Sequence, residues 1–470
     1  MSEWHIMQFD QAVLVNPPVP LVRDRVYPFV DMQAVDPATR DVRANELREF
    51  KASGSRFSHG DTLLARITPC LENGKIARYV AAFDEPHAHG STEFIVIRGR
   101  PEVTDTAYAY YLTKWDGVRN YCISQMTGSS GRQRVPTSAL SHLEVAIPPL
   151  PEQQAIACIL GTLDDKIELN RKRCRTLEAM ARAIFQSWFV DFDPVHENMR
   201  RKASRRRQSS GQPGDNTRGL TSAARFDDDD TPTTRGDGSN GFCLSPEIAA
   251  LFPDSFEDSP LGPIPAGWRE RALPEVCEVN PTRSLSKGTV APYLDMANMP
   301  TQGPSPETWV MREMGSGMKF INGDTLVARI TPCLENGKTA FVDFLADGQV
   351  GWGSTEYIVL RPRGVIPPPF AYLLARTTDF RNFAIQQMTG SSGRQRVPAD
   401  SLSKYKLVTP EPDDGLFVEF GKLIVPMFQS MSAAMNQSRT LAALRDALLP
   451  KLISGELRVP DAERIVGRAT

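Results

Sequence analysis

The sequence is poor in the features that announce a catalytic or membrane protein. Its seven cysteines in 470 residues include no Cys-x-x-Cys pair. That odd, scattered set argues against a disulfide framework and fits reduced thiols in a cytoplasmic setting. No apolar run approaches the length of a membrane span, and no charged, apolar, small-residue leader opens the chain. An excess of charge of one sign is lacking as well: 54 Lys and Arg stand against 56 Asp and Glu, a formal net charge of −2. A protein that grips nucleic acid unaided is usually strongly basic. If this chain binds DNA, much of the phosphate neutralisation has to come from a partner.

Glycine-rich cofactor loops are missing too. Asn16-Pro17-Pro18 begins like the Asn-Pro-Pro-aromatic motif of amino-methyltransferases, but Val19 stands where a ring would stack on a flipped base. Gly337-Lys338-Thr339 ends like a phosphate loop, yet Pro332 occupies the place of its first glycine. Both motifs fail, and no other catalytic signature takes their place, which weighs against a self-contained methyltransferase or nuclease.

What the chain does have is one long unit written twice. Gln125 to Pro136, QMTGSSGRQRVP, recurs letter for letter as Gln387 to Pro398. GDTLLARITPCLENGKIA from Gly60 returns as GDTLVARITPCLENGKTA from Gly323, and GSTEFIVIR from Gly90 as GSTEYIVLR from Gly353. The period is far too long for a solenoid, so the reading is two homologous domains. Short β-branched runs (Thr62 to Ile67, Phe94 to Arg98, Leu143 to Ile147) alternate with turn clusters and a helical stretch around Asp105 to Ser124, and the second copy follows suit. That pattern predicts an α+β, mixed domain. His87 and His89 have no counterpart in the second copy, and Cys70 and Cys333 supply one thiol per unit, so no metal site is expected.

Each unit runs into a long helix. Ile156, Leu160, Leu163, Ile167, Asn170, Cys174, Leu177, Ala181, Ile184 and Trp188 recur at steps of four and three, a seam of the coiled-coil kind with Asn170 as its polar interruption. The second copy gives Phe420, Ile424, Met427, Met431, Ala434, Ser438, Leu441, Arg445, Leu448 and Leu452. Two matched stripes favour mutual pairing over separate packing on each domain. The first helix would be about 55 Å long, enough to hold two domains apart. Pro426 is expected to kink or break the second. Residues 196–241, with the basic run Arg200 to Arg207 and the acidic run Asp227 to Asp230, read as a disordered, solvated linker.

The repeated blocks are mostly polar loop, and polar loops on a rigid scaffold carry function. Thr127, Gly128, Ser129 and Ser130 let backbone N–H groups approach phosphates, while Arg132, Gln133 and Arg134 are side chains of the kind that read guanine and adenine edges. Arg66, Thr68, Asn73 and Lys75 form a second polar set. The matching positions are Thr389, Gly390, Ser391, Ser392, Arg394, Gln395 and Arg396, with Arg329, Thr331, Asn336 and Lys338. Structural turns kept by common descent are the competing reading. If these loops touch bases, two half-sites read by them share bases.

At this point the chain resembles the specificity subunit of a type I restriction–modification system. PPLPEQQAIACILGTLDDKIELNRK, WFVDFDPV, LFPDSFEDSPLGPIPAGW and LRDALLPKLISGELRV carry the resemblance across nearly the whole sequence, although PEPDDGLF replaces the PPLPEQQ lead-in before the second helix. It implies two target-recognition domains, 1–149 and 265–411, separated by an antiparallel coiled-coil pair, 150–195 and 412–458, with the linker at 196–241, a lead-in at 242–264 and a tail at 459–470. It also implies a non-enzymatic protein that reads a two-part double-stranded DNA target. Its partners would be two modification subunits using S-adenosylmethionine and two motor-nuclease subunits using ATP and Mg, with no cofactor in this chain. A coiled-coil assembly scaffold that never reads bases is the alternative.

Overall fold

The computed structural model describes residues 4–81, 85–129, 131–209, 244–391 and 393–467. Two of the nominated serines, Ser130 and Ser392, and positions 210–241 of the expected linker lie outside these residues. The chain divides into two compact units: Met1–Arg171 with Asn436–Thr470, and Lys172–Met435. Each is mixed α and β, as expected.

In the first unit a five-stranded sheet runs in the order Val13–Val15, Phe94–Gly99, Thr62–Ala65, Ile76–Tyr79, Asp41–Val42. Thr62–Ala65 is buried at all four positions because both its faces are covered. Leu64 joins the core formed with the helix Thr106–Lys114, whereas Leu63 faces Phe57 and Tyr79 towards a second, four-stranded sheet. A central strand covered on both sides loses the polar–apolar alternation of a half-exposed one. The second unit repeats this at Thr325–Ala328, where Val327 enters the helix-side core and Leu326 the core around Phe320.

Val15-Asn16-Pro17 recurs as Val279-Asn280-Pro281, and this repeat has a structural role. Asn16 and Asn280 take left-handed backbone conformations, φ 48° and 53°. Their side-chain oxygens accept the Val96 and Val359 N–H groups at 2.9 Å. Asparagine tolerates this conformation and can bond locally, which the motif exploits to secure the edge of each sheet.

Leu150–Phe189 and Gly415–Ile453 are the two long helices, and each contributes one part to each unit. In the first unit Ile156, Leu160, Leu163 and Ile167 share a core with Leu441, Leu448 and Leu452. In the second, Ile184 and Trp188 share one with Phe420, Ile424, Met431 and Ala434, and Leu177 and Met427 are half-buried against it. The pairing is antiparallel within each unit. Asn170 donates to Gln437 at 2.9 Å and Ser438 at 3.2 Å, and Asp164 meets Arg445 at 2.6 Å. In the other unit the Cys174 thiol reaches the Met431 carbonyl at 3.6 Å. The polar seam position therefore finds polar partners across the interface.

Two expectations are corrected. The helix Gly415–Ile453 is unbroken at Pro426. One missing N–H bond is outweighed there by the burial of Ile424 and Phe428 on either side, and Asp414 caps the start by accepting the Leu416 N–H at 2.7 Å. The segment read as disordered from residue 196 begins as a helix, Asp193–Ser209, which carries the basic run. It is ordered by side chains that the charge pattern concealed: Val195 is fully buried, and Asn198 donates to the Ala249 and Phe252 carbonyls at 2.8 and 3.1 Å.

The Asp164–Arg445 pair is buried and also accepts the Tyr111 hydroxyl at 2.8 Å. Asp164→Ala would leave Arg445 buried without its carboxylate, a loss of roughly 3–5 kcal/mol. Chemical denaturation should show that loss, and a change below about 1 kcal/mol would mean that the pair is effectively solvated.

Candidate nucleic-acid interface

The three repeated blocks, far apart in sequence, meet at one place in each unit. Strand Thr62–Ala65 ends at Arg66, where the chain turns through Thr68 and Asn73 to Lys75. The Arg66 N–H donates to the Glu93 carbonyl at 2.9 Å, and its own carbonyl accepts the Val135 N–H at 2.9 Å. Thr68 then clasps Gln133 from both sides: its N–H reaches the Gln133 carbonyl at 3.0 Å, and its hydroxyl accepts the Gln133 N–H at 2.8 Å. Thr331 does the same to Gln395, at 3.0 and 3.1 Å. The turn chemistry of one block thus fixes the backbone of another.

The QMTG block is itself a small closed loop. Thr127 and Arg134 exchange backbone hydrogen bonds at 3.0 and 2.9 Å, and Thr389 and Arg396 match them. Between the two arms Gly128 and Gly390 take φ values of 122° and 119°, open to glycine at little cost. A Cβ at Gly128 would also sit 3.3 Å from the Arg132 carbonyl oxygen.

The loop aims its arginines differently. Arg134 is gripped by Glu93, which takes its Nε at 2.9 Å and one terminal nitrogen at 2.7 Å. Arg396 and Glu356 repeat the pairing at 2.8 Å. The Glu93 hydrogen bond, followed by its charge, raises the Arg134 pKa above the ordinary guanidinium value. Because the carboxylate occupies the Nε edge of the guanidinium, the end bearing the other terminal nitrogen is left to other acceptors; in Arg396 that nitrogen lies 3.4 Å from the Arg394 carbonyl. Such an end matches the paired acceptors of a guanine edge. Arg132 and Arg394 are exposed and hold no side-chain partner among the described residues.

Other nominated residues take different roles. Lys75 and Lys338 turn inward, donating to the Met32 carbonyl at 2.7 Å and the Met296 carbonyl at 2.5 Å. They brace the turn. Arg66 and Arg329 are half-buried, with enclosed Nε atoms that find no partner among the described residues in either unit. Asn73, Asn336, Thr127, Ser129, Thr389 and Ser391 are exposed on the loop surfaces. Glu93 and Glu356 were not nominated, although they stand in the third repeated block, and the duplication of GSTE was the signal that pointed to them.

Gly128→Ala or Gly390→Ala should strain the loop by about 1–2 kcal/mol. Hydrogen exchange at the Thr127 and Arg134 amides, or at Thr389 and Arg396, should accelerate while the sheet amides stay protected. Unchanged exchange would show that the loop accepts a side chain there.

Residues 62–179 match the profile of the type I restriction modification DNA specificity domain. The specificity subunit of the type I restriction enzyme HindI from Haemophilus influenzae is 24% identical over 393 residues, covering 78% of this chain and 81% of that protein. The MjaIX specificity subunit of Methanocaldococcus jannaschii is 23% identical over 370 residues, 75% of this chain and 69% of the relative. Among solved structures, the type I restriction–modification S subunit from M. genitalium overlays with a TM-score of 0.49 at 13% identity, covering 96% of each chain. Residues 62–179 thus carry the type I restriction modification DNA specificity domain, and about three quarters of the chain is similar to specificity subunits of type I restriction enzymes.

Proposed function

We propose that this chain reads a two-part double-stranded DNA target, each unit reading one half, and that the paired helices dock two modification subunits. The observation that carries the reading is the duplicated arginine held on a glutamate at a loop surface, Arg134 on Glu93 and Arg396 on Glu356. A carboxylate beside an arginine weakens its attraction for phosphate and fixes its direction. That combination suits a base edge better than a backbone. Arg132 and Arg394, which hold no such carboxylate, suit phosphate. Asn73, Asn336, Thr127, Gly128, Ser129, Ser130, Thr389, Gly390, Ser391 and Ser392 complete the two DNA-facing sets.

The near-neutral charge of the chain fits a division of labour in which partners close around the DNA. S-adenosylmethionine belongs to the modification subunits, and ATP and Mg to two motor-nuclease subunits, so this chain holds no cofactor. The complex would work in the cytoplasm.

Arg134→Ala should weaken binding of the assembled complex to its target by roughly ten- to a hundred-fold and relax a single half-site, with Arg396→Ala relaxing the other. Competition binding against target variants measures this. Equal weakening on all DNA, with a shallower salt slope, would instead assign these arginines to phosphate.

A further inference from the structure

The turn Asn73-Gly74-Lys75 and its copy Asn336-Gly337-Lys338 present a puzzle. Each is exposed at its asparagine, yet its own lysine is committed to an internal carbonyl. A cation does lie against each turn, from another element. Helix Asp116–Ser124 brings Arg119, and helix Thr378–Gln386 brings Arg381. A terminal nitrogen of Arg119 sits 3.2 Å from where a Cβ on Gly74 would be, and one of Arg381 sits 3.0 Å from the same point on Gly337. Both glycines are also left-handed, with φ of 73° and 72°. The space that a side chain would need there is the space the guanidinium uses.

The repeat serves as an internal control on why the arginine is there. In the first unit Arg119 pairs with Asp116 at 2.8 Å across one helical turn, on a carboxylate that is 70% exposed. In the second unit Thr378 replaces Asp116, and the arginine persists without that carboxylate. The ion pair is therefore not the reason for the arginine. Arg119 also keeps an enclosed Nε with no partner among the described residues. Both arginines are half-buried residues, neither sealed in the core nor fully free in solvent.

We propose that Arg119 and Arg381 are DNA-backbone contacts, each placing a positive charge on a phosphate beside the Asn-Gly-Lys turn of its own unit. The inference rests on the reading of the two loops as a DNA face and adds a residue from a helix to each face. It assigns these arginines to position rather than to sequence, because the exposed carboxylate beside Arg119 is not repeated at Arg381 and so gives the two no common direction towards a base.

The test uses the complex of this chain with its modification subunits. Arg119→Gln and Arg381→Gln should each flatten the dependence of log affinity on log salt by about 0.9, so that the penalty of raising salt from about 50 to 200 mM shrinks about 3.5-fold per arginine. The methylated sequence should stay the same, and Arg119→Lys should restore most of the slope. An unchanged slope in a complex that assembles normally would make the arginine a packing element and overturn the proposal. So would relaxed recognition of one base, which would make it a reader. A wild-type complex without salt-dependent, sequence-selective binding would instead overturn the underlying reading of the loops.

Discussion

Leu441, Leu448 and Leu452, from the far end of the chain, are buried in the same core as Leu160 and Leu163, and everything else rests on that closure. The first unit is not finished when its last strand is made; it needs a helical segment synthesised about 290 positions later. The second unit depends likewise on the end of the first long helix, whose Phe185, Trp188 and Phe189 stack among Phe370, Phe417 and Phe420. Burial of these apolar faces drives the pairing, and the polar contacts set its register. Asn170 with Gln437 and Ser438, and Asp164 with Arg445, would each be left unsatisfied by a slip along the seam. The helices also hold the sheets through buried tyrosines: Tyr111 donates to Asp164, and Tyr372 to Glu178 at 2.6 Å.

On that frame the loops are built for orientation more than for attraction. Thr68 and Thr331 fix one loop against another, and Lys75 and Lys338 give their charges to internal carbonyls. Glu93 and Glu356 offset the charge of the arginines they aim. A surface that spends its cations in this way has modest affinity for a generic polyanion and strong preferences about what meets its fixed donors. This is what the proposed role of a reader within a larger assembly requires, and it agrees with a chain whose net charge is −2.

Much of this was legible in the sequence because a duplication reports on itself. Blocks kept while the intervening strands drifted marked the loops, and steps of four and three marked the seam. Several features were hidden for physical reasons. The convergence of the blocks is a matter of tertiary contact, so the partnership of Arg134 with Glu93 had no local signature. The commitment of Lys75 depends on a carbonyl at Met32, brought near by the fold. Charge density made residues 196–209 read as disordered, whereas a few interior contacts at Val195 and Asn198 sufficed to order the helix Asp193–Ser209. Pro426 was overrated because a helix gripped by apolar packing tolerates one lost hydrogen bond.

The central claim is that one chain carries two related readers and therefore specifies a split target. Its most direct test is to express the chain with its modification subunit and map methylated adenines across a genome by single-molecule sequencing. The account predicts a bipartite motif with one modified adenine in each half, on opposite strands, and with bases in common when each half is read on its own strand. A single uninterrupted motif, or no methylation beyond that of the modification subunit alone, would contradict it.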